Sequence, residues 1–297
     1  MKISIITASY NYAQYIEEAI NSVINQSYSD WELIIVDDGS SDNSLEIIKS
    51  YCEKDERIKL FFHEADCEQR LKGKTTFFPE MPFSASNQER INKGLKETLL
   101  LGIENATGDW VAFLESDDFF ETDNLAEKVK VIEKHSNVKL IFNKVKFLSE
   151  TKRKEQKIFE KTQKKLSKMC FPKNMFKDFY TNNMILTFSC VMVEANILKN
   201  ADFITPVDSL LDWWLWIHLA YKNNFYYINE ELTSWRLHDK SYIEKTKRFS
   251  CLLPIKAYWE IFKQNKSLEF LFFIVYSSVI FIFVRVFRFL NSLGRSH

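Results

Sequence analysis

The first part of the chain alternates short apolar runs with amphipathic segments, and this alternation constrains the fold more than any other feature. Apolar runs at residues 3–8, 31–36 and 58–62 predict three strands. Between them, apolar residues recur at helical spacing over residues 16–24 and 45–52. Strands that alternate with helices are joined by right-handed crossovers into a parallel sheet. The sequence therefore predicts an α/β fold with a mostly parallel central sheet flanked by helices.

Two of the predicted strands run directly into acidic turns. Residues 31–36 are followed by Asp-Asp-Gly at 37–39, and a later charge-free run at 110–114 is followed by Glu-Ser-Asp-Asp at 115–118. The carboxyl ends of parallel strands share one edge, where open α/β sheets bind their ligands. Crowded carboxylates repel one another, and a divalent cation relieves that repulsion. We expect a shared nucleotide and metal site at this edge, although turn or helix-capping chemistry would explain either turn alone.

Length, charge and cysteine usage limit the class of protein. The chain has 297 residues, enough for one large domain or two, and its 40 basic residues balance its 40 acidic ones. Nucleic acid is not expected as a partner, because its binding proteins show a basic excess. The five cysteines are widely spaced and form no C-x-x-C pattern, which indicates free thiols in a reducing compartment. The apolar start is too short for a signal peptide, so a cytoplasmic location is expected.

Three segments between the motifs receive simpler interpretations. Residues 63–85 lack clean periodicity and predict a loop or insertion, followed by a helix that a capping box at 86–89 begins. Residues 138–148 alternate as an outer strand. Residues 150–168 are rich in lysine and glutamate and predict a solvated segment or mobile loop.

Two candidate functional residues lie in the last third of the predicted domain. Asp212 opens a helix at residues 209–221 that is apolar around most of its perimeter. It either complements the positive end of the helix dipole or acts as a general base whose pKa is raised by desolvation. His238 lies in a polar loop after a short run at 225–228, and a lone histidine is either structural or a ligand.

The end of the chain is apolar and then basic. Residues 270–284 carry no charge and are followed by Arg285, Arg288 and Arg295. The run is shorter than the roughly 20 residues that span a bilayer. Arginines beside a phenylalanine-rich surface suit anionic headgroups, so we expect a helix at a membrane surface, with a buried core helix as the alternative.

Taken in order, these motifs resemble those of the inverting family-2 glycosyltransferases, which have the GT-A fold. The opening at residues 4–11 and the turn at 36–42 resemble the start of that family. Residues 115–117 are similar to its Asp-x-Asp metal motif. Residues 211–216 resemble its Glu-Asp-Trp-x-Leu-Trp motif, and residues 236–238 its Arg-x-His motif.

The resemblance implies a domain organisation, and the chain departs from the family's usual residues at several positions. A GT-A glycosyltransferase domain would cover residues 1–241, with 63–90 as an insertion or acceptor-side loop, and a helical, membrane-associated tail would cover 242–297. The chain has Ala8 where the family usually has proline, Glu115 where it has aspartate, and Leu211 where it has glutamate.

The resemblance also implies roles for individual residues. Asp117 and His238 would hold Mg²⁺ or Mn²⁺, and Asp212 would take the proton from the acceptor hydroxyl. The nucleotide would be contacted by Ala8, Tyr10, Asn11, Asp38, Glu115 and Ser116.

The implied activity is metal-dependent and inverting. A hexosyl or similar sugar would pass from a nucleotide-sugar donor, with UDP as the expected nucleotide, to a saccharide or glycolipid acceptor. Bacterial surface polysaccharide or lipo-oligosaccharide synthesis, at the inner face of the cell membrane, is the expected setting. A nucleotidyltransferase and a non-catalytic, membrane-attached nucleotide-sugar-binding protein remain as alternatives. A dinucleotide-dependent dehydrogenase is disfavoured because the six glycines include no G-x-G-x-x-G.

Overall fold

The structure is a computed structural model that describes residues 1–63, 76–77, 93–148, 153–180, 183–201, 203, 211–237 and the single positions 263, 275 and 279. Within these residues the strands form one sheet in the order β4-β3-β2-β1-β5-β8-β7-β9-β6. The strands are β1 (Ile3–Ser9), β2 (Trp31–Asp37), β3 (Ile58–Phe62), β4 (Thr76–Phe77), β5 (Trp110–Phe113), β6 (Phe119–Phe120), β7 (Val138–Leu148), β8 (Val191–Glu194) and β9 (Asn224–Arg236). The helices are α1 (Ile16–Ile24), α2 (Ser44–Cys52), α3 (Leu95–Asn105), α4 (Asn124–Lys134), α5 (Arg153–Leu166), α6 (Ala195–Lys199) and α7 (Leu211–Lys222).

The predicted parallel sheet forms the half of the structure that carries both acidic turns. Strand β1 pairs in parallel with β2 on one side and with β5 on the other, and β2 pairs in parallel with β3. The carboxyl ends of β2 and β5 therefore lie at the same edge of the sheet, on either side of β1. The predicted convergence of the two acidic turns at one edge is confirmed.

The other half of the sheet is mixed. Strand β8 runs antiparallel to both β5 and β7, whereas β7 and β9 are parallel. The prediction of an outer strand at residues 138–148 is wrong, because β7 lies between β8 and β9. The register between β7 and β9 is irregular near Val145. The side-chain amide of Gln163 bonds both the N–H and the carbonyl of Val145, which completes the hydrogen bonding at that irregularity.

Helices cover both faces of the sheet, and the strands alternate to serve both cores. On β1, Ile3 and Ile5 face one core with helices α1, α2 and α4, whereas Ile6 faces the other with α3 and α7. Helix α3 approaches closely, because a Cβ at Gly102 would lie 2.5 Å from Cγ2 of Ile6. This close packing fixes the connection that leads into β5 and its acidic turn.

Two local predictions after residue 148 are corrected by the structure. Residues 153–166 form helix α5 rather than a mobile loop, and α5 packs Phe159 and Leu166 against the core. The short run predicted at 225–228 is part of a much longer strand, because β9 extends from Asn224 to Arg236. Both corrections have the same reason: long-range packing supplies the order that the polar local sequence does not suggest.

The predicted insertion at 63–90 and the tail at 242–297 lie almost wholly outside the described residues, so their structures stay predictions. The capping box at 86–89 also lies outside them, but the prediction that it begins helix α3 is wrong, because α3 begins at Leu95, directly after Gly94. Among the described helices, none combines the length and apolar character that crossing a membrane requires.

The amino edge of the sheet, opposite the acidic turns, is held together by the buried acid Glu32. Its Oε1 accepts hydrogen bonds from Oγ of Ser4 (2.6 Å) and from the backbone N–H of Thr107 (2.8 Å). Its Oε2 accepts from the Nζ atoms of Lys2 (3.0 Å) and Lys59 (2.8 Å). Burial by itself raises the pKa of the Glu32 carboxyl, but these hydrogen bonds outweigh burial and lower the pKa to about 2.

We expect Glu32→Gln to lower the free energy of unfolding at neutral pH by at most about 3 kcal/mol, since each pKa unit corresponds to about 1.4 kcal/mol. The folded pKa lies below the ordinary value of 4.5, so this stabilisation is present above pH 4.5 and is lost as the pH falls towards about 2. Urea unfolding at a series of pH values measures it, with the exposed Glu104→Gln as control. A wild-type advantage that stayed constant through this range would contradict the assignment.

Candidate functional site

The loop after β1 and the turn after β2 are joined by Asn11. Its backbone is left-handed, with φ of 58°. Its Oδ1 accepts a hydrogen bond from the backbone N–H of Ser41 (2.8 Å), and its own N–H donates to Oγ of Ser40 (3.0 Å). Asparagine tolerates this conformation better than most residues, which accounts for its presence at this position. Asn11 therefore fixes the shape of the carboxyl edge between β1 and β2.

Asp38 connects the same edge to helix α3. Its two carboxylate oxygens accept the backbone N–H groups of Lys93 (2.7 Å) and Gly94 (3.0 Å). Gly94 has a φ of 88° and directly precedes α3, so the carboxylate holds the chain where the helix begins. Each carboxylate oxygen has a second lone pair, which leaves acceptor capacity for a ligand. The predicted nucleotide contacts Ala8 and Tyr10 lie on and just after β1, and Tyr10 is 47% exposed.

The acidic turn after β5, residues 115–118, is braced by two hydroxyl side chains from the segment that leads into β8. Oγ of Ser189 accepts the backbone N–H of Glu115 (2.9 Å) and donates to Oδ2 of Asp118 (2.6 Å). Oγ1 of Thr187 donates to Oε2 of Glu115 and lies 3.3 Å from the same Asp118 oxygen. The antiparallel pairing of β5 with β8 brings these hydroxyls to the turn.

Arg236 braces the same turn from the opposite side. Its backbone N–H donates to Oδ1 of Asp118 (2.9 Å), and its Nε donates to the carbonyl of Asp117 (3.0 Å). Its guanidinium also pairs with Glu18 and lies over the ring of Tyr15, 4.5 Å from the ring centroid. The acidic turn is therefore held to helix α1 as well as to the sheet. Because Asp118 is 1% exposed and its oxygens accept three hydrogen bonds, from Thr187, Ser189 and Arg236, it serves the conformation of the turn.

The carboxylates at this edge influence one another. Burial, together with the charges of Asp117 and Asp212, raises the pKa of Glu115 to about 7, although the hydrogen bond from Thr187 opposes the shift. Burial and the charges of Asp117 and Glu115 raise the pKa of Asp118 well above its usual range. Burial, with the same acidic turn, also raises the pKa of Tyr12. These interactions bring the turn, Tyr12 and Asp212 together in one site.

Asp212 reaches this site from the first turn of α7. Burial raises the pKa of its carboxyl to about 6, although hydrogen bonds from the backbone of Trp213 and from Nδ2 of Asn183 (2.7 Å) favour the charged form. Helix α7 is rigidly placed, because Trp216 packs against Phe113 of β5. An aspartate with this pKa is deprotonated at neutral pH and can still accept a proton, as a general base must.

The acidic turn offers carboxylate ligands for a metal ion whose remaining ligands a bound substrate would supply. Within the described residues, no group of three or more histidine, cysteine or acidic side chains could hold an ion. Mg²⁺ in nucleotide sites is often bound by only one or two carboxylates together with substrate phosphates. Glu115 and Asp117 remain for such a role once Asp118 is assigned to the turn, and the mutual repulsion that raises the pKa of Glu115 would be relieved by a cation.

The structure thus brings together most of the predicted site residues. The predicted contacts Ser116 and Glu115 lie in the acidic turn beside Asp117, and Asp212 is close enough to Glu115 to affect its pKa. The predicted metal ligand His238 lies outside the described residues. Sequence reasoning missed four residues at the site, namely Tyr12, Thr187, Ser189 and Arg236. Arg236 stands in the Arg-x-His motif, which could have identified it, whereas Thr187 and Ser189 lie in a stretch without a recognisable pattern.

Comparison with protein families gives a match over more than half of the chain. The model described as Glycosyl transferase family 2 matches residues 4–67 and 88–201. An uncharacterized glycosyltransferase of Rickettsia felis is 30% identical over 267 residues, which cover 86% of this chain and 37% of that protein. TuaG of Bacillus subtilis, a glycosyltransferase named for teichuronic acid biosynthesis, is 33% identical over 134 residues, 45% of this chain and 43% of TuaG. The chain therefore spans less than half the length of these relatives.

Solved structures share the fold. The mannosyltransferase PcManGT of Pyrobaculum calidifontis, in complex with GDP-Man and Mn²⁺, superposes with a TM-score of 0.59 at 14% identity, over 94% of this chain and 69% of that one. Staphylococcus aureus TarS 1-349, in complex with UDP-GlcNAc, superposes with a TM-score of 0.56 at 18% identity, over 87% of this chain and 64% of that one. At these identities the likeness establishes the fold alone.

Proposed function

Because the chain belongs to glycosyl transferase family 2, we propose that it transfers a sugar from a nucleotide-sugar donor to a hydroxyl of a saccharide or lipid-linked acceptor. The observation that carries this proposal is the approach of Asp212, whose pKa is raised by burial, to the acidic turn at the carboxyl edge. A site that only bound nucleotide would have no need of a positioned base at this point.

The nucleotide is proposed to lie along the carboxyl edge of β1, β2 and β5. Asp38 would accept a hydrogen bond from the base, with Tyr10 and Asn11 beside it and Glu115 near the ribose. We propose UDP as the nucleotide, supported by the UDP-GlcNAc complex of TarS, while the GDP-Man complex of PcManGT shows that the fold admits another base. The donor test below therefore includes several bases.

A divalent cation, Mg²⁺ or Mn²⁺, is proposed to be held by Asp117 together with the diphosphate, with His238 as a further ligand. When bound, the cation would neutralise charge on the leaving diphosphate. The Mn²⁺ in the PcManGT complex supports this choice of ion. The chain's own contribution is the rigid turn, because Thr187, Ser189 and Arg236 fix the carboxylates before any ligand binds.

Asp212 is proposed to act as the general base in a single displacement. Its carboxylate takes the proton of the acceptor hydroxyl while the acceptor oxygen forms a bond to the anomeric carbon. The bond between that carbon and the diphosphate oxygen breaks, and the nucleoside diphosphate leaves with the electron pair. Attack on the face opposite the leaving group inverts the anomeric configuration.

Surface polysaccharide synthesis is the proposed setting, supported by the similarity to TuaG. A lipid-linked acceptor would place the reaction at a membrane face, where the basic and apolar tail at 242–297 is proposed to associate. The acceptor for such a pathway would be a growing saccharide.

The test of the proposed function is a panel of UDP-, GDP-, CDP- and dTDP-sugars screened by thermal unfolding, each with Mn²⁺ and with chelator. A ligand that binds only the folded state stabilises it by about 2.7 kcal/mol at a hundred times its dissociation constant. We expect stabilisation that needs both a UDP-sugar and the metal. No stabilisation by any nucleotide sugar with Mn²⁺ present would overturn the proposal, and stabilisation by nucleoside triphosphates alone would favour nucleotidyl transfer.

The best donor from that panel then serves to test the displacement. The product formed with a soluble saccharide acceptor is expected to carry the inverted anomeric configuration, measured by the proton coupling constant in its NMR spectrum. A product that keeps the donor's configuration would exclude the role given to Asp212.

A further inference from the structure

Helix α5 presents a stripe of lysines to solvent. Lys157, Lys161, Lys164 and Lys165 of α5 are exposed, as is Lys168 in the turn that follows, and we name these five residues the lysine face. Spacings of three and four residues place them on one side of a helix. Glu155 falls outside the stripe at 100° per residue, whereas the exposed Glu160 lies at its edge, three residues after Lys157 and four before Lys164. The five lysines of the stripe therefore outnumber the single acidic side chain at its border.

The opposite side of α5 is fixed to the body of the protein. Phe159 packs against Trp235 of β9 and Phe147 of β7, with ring centroids 4.9 Å and 6.1 Å away. Leu166 is buried in the same core, and Gln163 is bonded to the backbone of Val145. Because this inner face is fully used, the lysine face cannot turn inward, and its charges remain at the surface.

The lysine face is a local charge excess on a chain whose formal net charge is zero. None of its five ammonium groups forms an ion pair within the part of the chain that the structure describes, whereas lysines elsewhere do, such as Lys130 with Glu127 and Lys139 with Glu194. Unpaired like charges on one face repel one another, and an anionic partner removes that repulsion.

An apolar residue distinguishes a bilayer from other anionic partners. Ile158 lies at the border of the lysine face and is 63% exposed. It does not belong to the inner side of α5 that packs against the core. Lysines flanking an exposed aliphatic side chain suit a membrane surface, where headgroups meet the ammonium groups and the aliphatic group enters the interface. A nucleic acid backbone offers no comparable place for an isoleucine.

The lysine face is structurally connected to the proposed active site. Trp235, against which α5 packs, is followed by Arg236, whose Nε bonds the carbonyl of Asp117 in the acidic turn. A surface that touches α5 therefore lies on the side of the protein where β9 ends at the site. An acceptor carried by a lipid would be delivered from such a surface.

We propose that the lysine face of α5 docks the protein onto the anionic phospholipid headgroups of a bilayer. The five lysines are distinct in sequence from the tail at 242–297. Its test needs neither donor nor turnover, so its failure is distinguishable from failure of the proposed function.

The experiment is flotation of the full chain with phosphatidylcholine vesicles, with and without phosphatidylglycerol. Wild type is expected to prefer the anionic vesicles and to lose that preference at high salt, where surface charges are screened. A variant with glutamine at Lys157, Lys161, Lys164 and Lys165 should show a partition coefficient lower by about tenfold or more, since each lysine near an anionic surface is worth about fivefold. Ile158→Ser should weaken binding further in either background.

The matched control places the same four-charge change elsewhere, with glutamine at the exposed Lys54, Lys130, Lys134 and Lys222. It has the same net charge and should bind anionic vesicles like wild type. Equal binding by the two variants would overturn the proposal, as would wild-type binding that ignores phosphatidylglycerol. A loss of affinity for a DNA duplex alone, with vesicle binding unchanged, would also overturn it. The double variant of Lys161 and Lys165 repeats the test if the fourfold variant does not fold.

Discussion

Replacing Asp212 by asparagine is expected to lower kcat by about 10²- to 10⁴-fold while leaving the affinity for the nucleotide sugar nearly unchanged. Asparagine has the same shape and can still accept the hydrogen bond from Nδ2 of Asn183, but it cannot take a proton from the acceptor. Release of nucleoside diphosphate measures turnover, and calorimetry measures donor binding. Asp30→Asn, at the amino edge, is the control and should retain turnover.

The pH profile supplies an independent check of this residue. Burial raises the pKa of Asp212 to about 6, and a general base works only when deprotonated. Wild-type kcat should therefore fall as the pH drops through about 6, and the residual activity of the asparagine variant should lack this acid limb. Full turnover in the variant, or the same acid limb in both proteins, would contradict a role for Asp212 as the base.

The second large effect is expected at Asp117. Asp117→Asn should abolish the stabilisation that Mn²⁺ adds to a bound nucleotide sugar and lower turnover by about 10²-fold or more, because a neutral amide is a poor ligand for a hard cation. Chelation of the metal should reduce wild-type activity to a similar level and have little further effect on the variant. Titration of Mn²⁺ against thermal stability and activity measures both.

The neighbouring acid offers a contrasting control for Asp117. Asp118 accepts hydrogen bonds from Oγ of Ser189 and from the backbone N–H of Arg236, so Asp118→Asn would set an amide N–H₂ against one of these donors. It should therefore lower the free energy of unfolding by about 1–3 kcal/mol but keep the stabilisation that Mn²⁺ adds to a bound nucleotide sugar. If the Asp118 variant also lost the stabilisation that depends on Mn²⁺, the assignment of the metal to Asp117 rather than to Asp118 would be contradicted.

The edge on which the site is built could be predicted from sequence because its determinants are local. Strands β1, β2 and β5 are buried runs, β2 and β5 end in acidic turns, and parallel topology places those two turns at one edge. The braces of the acidic turn could not be predicted in this way. Thr187 and Ser189 reach Glu115 and Asp118 only through the pairing of β8 with β5, between residues about eighty positions apart in the chain.

Helix α5 was missed for a related physical reason. Its mean polarity predicts a solvated segment, and its inner side offers few large apolar groups, chiefly Phe159 and Leu166. The partners that order it, Phe147 and Trp235, belong to strands on either side of it in sequence. The local composition of such a helix reflects its solvent-facing side. It does not identify the part of the core against which the helix packs.

The family match and the folded site end at different places in the chain, as Arg236 at the end of β9 shows. The family match ends at residue 201, yet β9 supplies the partner of β6, a parallel neighbour for β7 and both bonds from Arg236 to the acidic turn. A fragment trimmed to the matched segment would keep the acidic turn at residues 115–118. It would lose Asp212, and it would lose Arg236, which holds that turn in place. For this chain, the segment that the family model matches is shorter than the unit that must fold to form one site.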